Sequence, residues 1–588
     1  MGIPSYFAHV LKKYPRVIKR LSELQCIHNL YLDCNGMIYD VVRQMQYTPE
    51  NKDAYEAELL QRICESIDAC IAILRPTNCV FVAFDGVAPV AKLNQQRERR
   101  YKSWYLGEME TQRRKQAQCR KDKEAPKPAW NTSAITPGTQ FMRSLHDKLA
   151  QHYNNTTTDT ITTTSTNPKI IVSSSNEPGE GEHKLFEYIR EHAAEHADQV
   201  TVIYGLDADL IMLCMSHLHI SRGIYLYRET PEFVKSINVA LDEKERYYMD
   251  IPEFADATWG ALTAPHTPFT GTQVNAVAFG PTPLPQGVGG MLGVWGATSA
   301  PQLDYIFMCF MLGNDFMPHF PALNIRTTGI ATLTDAYRAV FKPGESIIQC
   351  TTGTGTPVWS IHWPNYKRFV AHLAAQETTL IRKEHATRDR QARNMRDTDK
   401  EDDVMHDVLM LPMTQRDVER QINPFEPGWE RRYYASLCDI HLPQAALDQD
   451  PSVAALCRNY LEGMEWTFRY YTSGCVDWKW SYANHYPPLL ADLVKHIPTE
   501  STFSFLHVKP KEPIRDVVQL CYVLPRASHA LLPPAAERAL MQSALRSKYT
   551  DDGSPNFKWA YCKYFWECHT DLPELDIEEL ARIVSKIK

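Results

Sequence analysis

The chain has 588 residues, 44% hydrophobic and 23% charged, the proportions of an ordinary globular protein with room for several domains or two large ones. Lys plus Arg number 63 against 70 Asp plus Glu, a net charge of −7, which excludes a generally basic nucleic-acid-coating protein and requires any polyanion site to be local. No run approaches the roughly 18 apolar residues of a membrane span, and the N-terminal stretch around Lys12, Lys13 and Arg16 lacks a signal-peptide core.

Short β-branched runs predict buried strands at Leu30–Leu32, Val80–Phe84, Ile170–Ser173 and Val200–Tyr204. Between the first two, Leu59, Ile63, Ile67, Cys70 and Leu74 recur at helical steps and Pro76 ends the pattern. A further helix over Lys184–His196 separates the last two, so the order predicts a parallel sheet with helices on its faces, an α/β fold. Stretches 154–167 (Thr- and Asn-rich) and 264–300 (Gly-, Pro- and Thr-rich) read as insertions, and 382–403, dense in both charges, as a linker. From about Val408 the pattern is helical and rich in aromatics. The cysteines, many inside apolar runs, suit reduced thiols in an intracellular compartment. Cys562, Cys568 and His569 are spaced loosely for zinc and read as ordinary structural residues.

Each predicted strand is followed by acid: Asp33 in LYLDCNG, Asp85 in FVAFDGV, Glu180 and Glu182 in PGEGEHK, Asp207 and Asp209 in IYGLDADL. Asp315, in MLGNDFMPH after an apolar helix, joins them. Any one of these alone reads as a turn or helix cap. Together, at the carboxyl edge of a parallel sheet, they predict a convergent cluster whose mutual repulsion calls for divalent cations, Mg²⁺ or Mn²⁺. The Glu-x-Glu and Asp-x-Asp spacings fit strand-end turns better than helices. Just after Asp85, a helix would carry Lys92, Gln96, Arg99 and Arg100 on one face, in a segment 92–123 with 11 basic and 4 acidic residues, net 11 − 4 = +7. Such a helix is commonly a solvated surface, but beside Asp85 it suits a phosphate pocket.

These motifs, with MGIPSYF, ITPGTQFM, GWERRYY and the run from Tyr460 through VDWKWSYANHYPP, resemble the XRN family of 5′→3′ exoribonucleases over most of the chain. The resemblance implies a core of the PIN and flap-nuclease type in 1–370, a charged linker in 371–407, and a helical second region in 408–588 that packs around the active site. It implies metal ligands at Asp33, Asp85, Glu180, Glu182, Asp207, Asp209 and Asp315, holding two ions as in two-metal hydrolysis. It implies a 5′-phosphate pocket of Lys92, Gln96, Arg99 and Arg100, and base stacking by Tyr39 and a tryptophan, Trp478 or Trp480. The substrate implied is single-stranded RNA with a 5′-monophosphate, degraded processively to nucleoside 5′-monophosphates by a monomer without membrane attachment. Tyr39 stands where a stacking His is usual, Val90 replaces an Arg and Gln140 a Glu; these changes leave the metal ligands alone and put secondary pocket contacts in doubt. The alternatives are a flap endonuclease on DNA, which would carry a Gly-rich DNA clamp after Asp315, and a silent RNA-binding scaffold, which would have lost acids. With no basic import cluster, the cytoplasm is expected over the nucleus.

Overall fold

A computed structural model describes residues 3, 5–118, 129–154, 168–228, 242, 245–263, 301–351, 358–396, 408–442, 450–506, 512–549 and 556–586. The expected insertion 154–167 beyond Asn154, which ends a helix, the whole of 264–300, and the charged stretch beyond 396 lie outside the described residues.

Strands β1 (Ile18–Arg20), β2 (Asn29–Asp33), β3 (Cys79–Ala83), β4 (Lys169–Ser173), β5 (Val200–Tyr204), β6 (Gly223–Tyr227) and β7 (Tyr247–Asp250) form one sheet in the order β1-β7-β6-β5-β2-β3-β4. The run from β6 to β4 is parallel, and β7 and β1 add antiparallel at one edge. The four apolar runs therefore lie side by side as β5-β2-β3-β4, with β4 at the sheet edge. Strands β1 and β6 escape the sequence pattern: β1 is three residues long, and β6, buried at Ile224, Leu226 and Tyr227, is only partly buried at Gly223 and Tyr225.

Successive side chains of a strand point to opposite faces. Tyr31, Phe81, Ala83 and Ile203 accordingly enter one core, and Leu30, Leu32, Val80, Val82, Val202 and Tyr204 the other. Helices α1 (Asn35–Gln44) and α2 (Lys52–Leu74) cover the second face. The predicted stripe from Leu59 to Leu74 is the buried side of α2, which stops where Arg75 takes a left-handed φ of 49° before Pro76. The first face is covered by α4 (Gly181–Glu191), α5 (Asp209–Ser216), α6 (Pro301–Cys309) and, from the second region, α8 (Pro451–Ser473), with α3 (Val90–Gln118) and α7 (Glu377–Arg396) intervening in sequence. Two small hairpins, β8 (Ile348–Thr351) with β9 (Val358–Ile361) and β10 (Asn556–Lys558) with β11 (His569–Asp571), interrupt the helical second half. No helix among the described residues is long and apolar enough to cross a membrane.

A third core joins the two ends of the chain. Ala88, Val90 and Leu93, at the start of α3, pack among Val518, Leu520 and Cys521 of α9 (Asp516–Val523) and Leu580 and Val584 of α10 (Ile577–Ser585). The C-terminal part thus clamps the helix that was predicted to carry the phosphate pocket.

Two readings need correction. The segment 371–407 is not a linker over its described length: α7 runs through it to Arg396. Its charges are partly internal, with Arg388 bonded to Glu419 at 2.7 Å and Arg416 to both Glu419 and Asp389. A mixed-charge run looks solvated in sequence because the partners lie elsewhere in the chain. The helix placed at 184–196 starts earlier, at Gly181, and breaks at His192. Glu180 is its N-cap, Glu182 lies in its first turn, and Asp209 opens α5, so these pairs straddle turn and helix.

Candidate active site

The order β5-β2-β3-β4 means that the chain leaves β2 toward one side and returns to the other at β5, a topological switch point where side chains converge at the strand ends. Asp33 ends β2, and Asp207 follows β5 beside it. Asp85 and Glu180 follow β3 and β4, and their loops are zipped together: Gly86 N–H donates to the Gly179 carbonyl and Gly179 N–H to that of Val87, both at 2.8 Å. A Cβ on Gly86 would lie 1.7 Å from the Glu177 carbonyl oxygen, so only glycine permits this approach. Asp85 is then gripped on several sides, its Oδ1 accepting from Gly181 N–H at 2.7 Å and its other oxygen from the Asn35 amide, while its own N–H donates to Asn35 Oδ1. Asp315 is aimed by a tight loop in which Asn314 Oδ1 accepts from Phe316 and Met317 N–H at 2.9 Å. Gly313, at φ 85°, opens that loop, and a side chain there would meet His319.

The acids form two groups. Asp33, Asp85 and Asp207 are half-buried, whereas Glu180, Glu182, Asp209 and Asp315 are buried. Each group feels the other. Burial raises the Asp33 carboxyl well above its ordinary range, and Asp85 and Asp207 raise it further. Burial, then Asp209 and Glu180, do the same to Glu182. Asp209 is raised to about 7 by burial and by Asp315. Glu182 Oε2 and Asp209 Oδ1 are buried without a hydrogen-bond partner. Ligand atoms of Glu180, Glu182 and His183 lie within 4.8 Å of one another. Hard oxygen donors that are buried, unpaired and mutually repelling fit a divalent cation of the Mg²⁺ or Mn²⁺ class.

Among the described residues, Lys92 brings a buried cation into this cluster. Lys92 Nζ lies 2.6 Å from Glu180 Oε2 and 2.5 Å from Asp315 Oδ2. Burial opposes its charge, but Asp315 and Glu180 outweigh that and hold the ammonium protonated. In return Asp315, which burial would raise, is held below the ordinary carboxylate range by Lys92. Its other oxygen accepts from Gln95 at 2.6 Å. Further along α3, Gln96 is buried, and Arg100 donates to Thr136 Oγ1 at 2.8 Å and to Gln96 Oε1 at 3.4 Å. Arg100 is lowered to about 10 by burial and by neighbouring Arg99, with Tyr39 and Asp85 acting the other way. Arg99 is exposed. The basic face of α3 therefore borders the carboxylates, with Arg100 close to Asp85 and to half-buried Tyr39.

The two tryptophans separate. Trp480 is only 9% exposed and stacks on Trp466 at 5.2 Å and 23°, so it belongs to the core and is withdrawn as a base-stacking candidate. Trp478 is half-buried, and its carbonyl accepts from the N–H of Val90 at 2.9 Å, which fixes it beside the start of α3.

Several site residues gave no usable signal in sequence. Tyr470 of α8 donates to Glu180 Oε1 at 2.9 Å, and its ring stacks on His183 at 3.7 Å. Tyr471, next along, bonds Asp209. Gln95 and Asn35 lie beside recognised positions, but amides have no charge pattern to single them out.

Comparison with known proteins places this geometry. Residues 1–230 match the family model described as XRN 5′-3′ exonuclease N-terminus, and 303–420 and 410–588 match the Xrn1 helical domain. The chain is similar to 5′-3′ exoribonuclease 2 of Gallus gallus, 26% identical over 100% of this chain and 70% of that protein. It is likewise similar to the Drosophila melanogaster homologue, 26% identical over 99% and 70%, and to the Arabidopsis thaliana protein, 25% identical over 100% and 67%. The first model covers six of the seven sheet strands with six of the acids and the second covers Asp315 and the helices that brace them, so the chain belongs to the XRN family of 5′-3′ exoribonucleases.

Proposed function

We propose that the protein degrades single-stranded RNA from a 5′-monophosphate end, releasing nucleoside 5′-monophosphates processively by metal-assisted hydrolysis of the phosphodiester bond. The observation that carries this reading is the continuity of α3 with the carboxylate cluster: Lys92 lies among the acids and Arg100 sits two turns further on, bordering Asp85 and Tyr39. Asp33, Asp85, Glu180, Glu182, Asp207, Asp209 and Asp315 hold the metal. Two divalent cations bound there would lower the pKa of an attacking water and stabilise the departing oxygen.

The chain's own residues set direction and step. Arg99 and Arg100 offer forked donors to the terminal phosphate oxygens, Gln96 and Lys92 complete the pocket, and the scissile bond falls one nucleotide further along, against the carboxylates. Arg100 is held by Thr136 and Gln96, and a pocket that grips a terminal monophosphate with such fixed donors would reject a cap or triphosphate. Tyr39 and Trp478 are the two walls of a base stack that only a single strand enters.

The test uses Mg²⁺ and matched RNAs bearing 5′-monophosphate, triphosphate or hydroxyl, with a matched flap DNA. Mononucleotide release from the monophosphate RNA alone is expected. Equal release from all three RNAs would refute the pocket, and endonucleolytic products from the DNA would favour a flap nuclease.

A further inference from the structure

Away from the carboxylates, Glu98 of α3, His485 after α8 and His569 at the start of β11 converge, with ligand atoms all within 4.8 Å of one another. His485 Nδ1 is 3.6 Å from Glu98 Oε1, and His569 Nδ1 is 3.9 Å from Glu98 Oε2. Neither separation is of hydrogen-bond length. Tetrahedral zinc, with bonds of about 2.0 to 2.2 Å, sets its ligand atoms roughly 3.3 to 3.6 Å apart, so a small side-chain adjustment would bring all three onto one ion. The imidazole rings lie face to face at 4.9 Å and 27°, and both turn Nδ1 toward the carboxylate.

We propose that Glu98, His485 and His569 form a second metal site, of the His₂-carboxylate type, that takes a borderline cation such as Zn²⁺ and ties α3 to the 556–571 hairpin and to the segment carrying Trp478. Imidazole donors favour zinc-class cations, whereas the active-site acids, all oxygen, favour Mg²⁺. Ligation needs neutral imidazoles. Burial keeps His569 neutral, with His485 and Lys102 acting the same way, and burial followed by Lys558 lowers His485. The facing cations are committed elsewhere. Lys102 Nζ, 3.9 Å from Glu98 Oε2, donates to the Trp566 and Cys568 carbonyls at 3.0 and 2.5 Å, and Lys558 pairs with Asp439 at 2.8 Å. Burial raises the Glu98 carboxyl to about 7, with Lys102, the Thr570 N–H and Arg97 acting the other way. Glu98 lies about 9 Å along the helix axis from Lys92 at 1.5 Å per residue, and directly precedes Arg99. An ion there would fix the helix that presents the phosphate pocket.

The experiment uses the full chain stripped with EDTA, then saturated with Mg²⁺ and titrated with Co²⁺ in the absence of RNA. Mg²⁺ competes for the carboxylate site, which has His183 beside it, and the three ligand variants assign the visible absorption of nitrogen-bound Co²⁺ to this cluster. A stoichiometric band displaced by Zn²⁺, with a rise in melting temperature on adding Zn²⁺, is the expected result. Glu98→Gln, His485→Gln and His569→Gln should each abolish both, circular dichroism confirming the fold. Absence of a band in the wild type, or its survival in any of the three folded variants, would overturn the proposal. The readout contains no RNA, so it succeeds or fails independently of the exonuclease reading.

Discussion

The sheet edge and the second region both reach the carboxylate cluster, and they contribute opposite things. Loops after β2 to β5 supply charge, held by backbone at a switch point: Asp33, Asp85, Glu180, Glu182, Asp207 and Asp209. Helix α8 supplies neutral rings, Tyr470 on Glu180 and Tyr471 on Asp209, behind which Trp466 and Trp480 stack. The difference teaches that ligands and their supports can be separated experimentally. Removing charge should stop the reaction and spare the fold, whereas removing rings should loosen the fold or misplace the ligands.

The largest effect tests the charge side. Asp207→Ala or Asp209→Asn should lower turnover on the order of 10³-fold or more, the several kcal/mol that a lost metal ligand removes. RNA binding and melting temperature should be retained in Asp209→Asn, because the carboxylate is repelled by its neighbours and an amide oxygen can still accept from Tyr471. Single-turnover kinetics beside thermal melts make the measurement, and wild-type turnover in either variant would remove the metal assignment.

The next pair tests the ring side within a single motif. Trp480→Ala should cost about 3 to 5 kcal/mol of stability, as for other buried large side chains, because it fills the space between Trp466 and Gly463. Trp478→Ala should leave stability nearly unchanged and weaken single-stranded RNA binding by about 1 to 3 kcal/mol, one base's stacking. Denaturant titration and equilibrium binding separate the two, and the opposite pattern would reverse their roles.

That pair also marks where sequence reading stops. The block β5-β2-β3-β4 and its acids were legible because an apolar run followed by acid is a local pattern, and parallel topology alone sends every strand end to one edge. The basic face of α3 was legible for the same reason: helical spacing orders Lys92, Gln96, Arg99 and Arg100 without reference to the rest of the chain. Trp478 and Trp480 sit in an irregular segment, where no period says which ring turns inward. Tyr470 and Tyr471 are two aromatics among many in the second region, and only the docking of α8 selects them. The internal pairing of Arg388 with Glu419 was hidden because the partners are 31 residues apart.

A smaller effect concerns how the second region is held. Glu377 of α7 accepts from Leu490 and Ala491 N–H at 2.7 and 3.0 Å, capping the helix Leu490–His496. Burial lifts its carboxyl to about 7, against the pull of those two donors. In the unfolded chain the group ionises in the ordinary carboxylate range, so its stabilising share is complete below that range and is lost as pH rises to about 7. Glu377→Gln should therefore flatten the fall in stability between pH 4.5 and 7 by up to about 3 kcal/mol. Denaturant titrations across that window check it, and identical slopes in variant and wild type would deny Glu377 the raised pKa.

The smallest effect sharpens the comparison most, because it touches support without touching charge. Tyr470→Phe keeps the ring on His183 and against Trp466, and deletes only the hydroxyl that donates to Glu180 Oε1. Glu180 still meets Lys92 through its other oxygen, so the carboxylate stays in place but gains a rotational freedom that the phenol had removed. Residues that orient metal ligands typically change affinity or activity by about 10- to 100-fold, and with Lys92 remaining the lower end is expected. Turnover at saturating Mg²⁺ should fall about tenfold, with the melting temperature and RNA affinity unmoved. If melting fell in proportion instead, α8 would be acting as packing alone, and the distinction between regions that charge the site and regions that aim it would not hold for this contact.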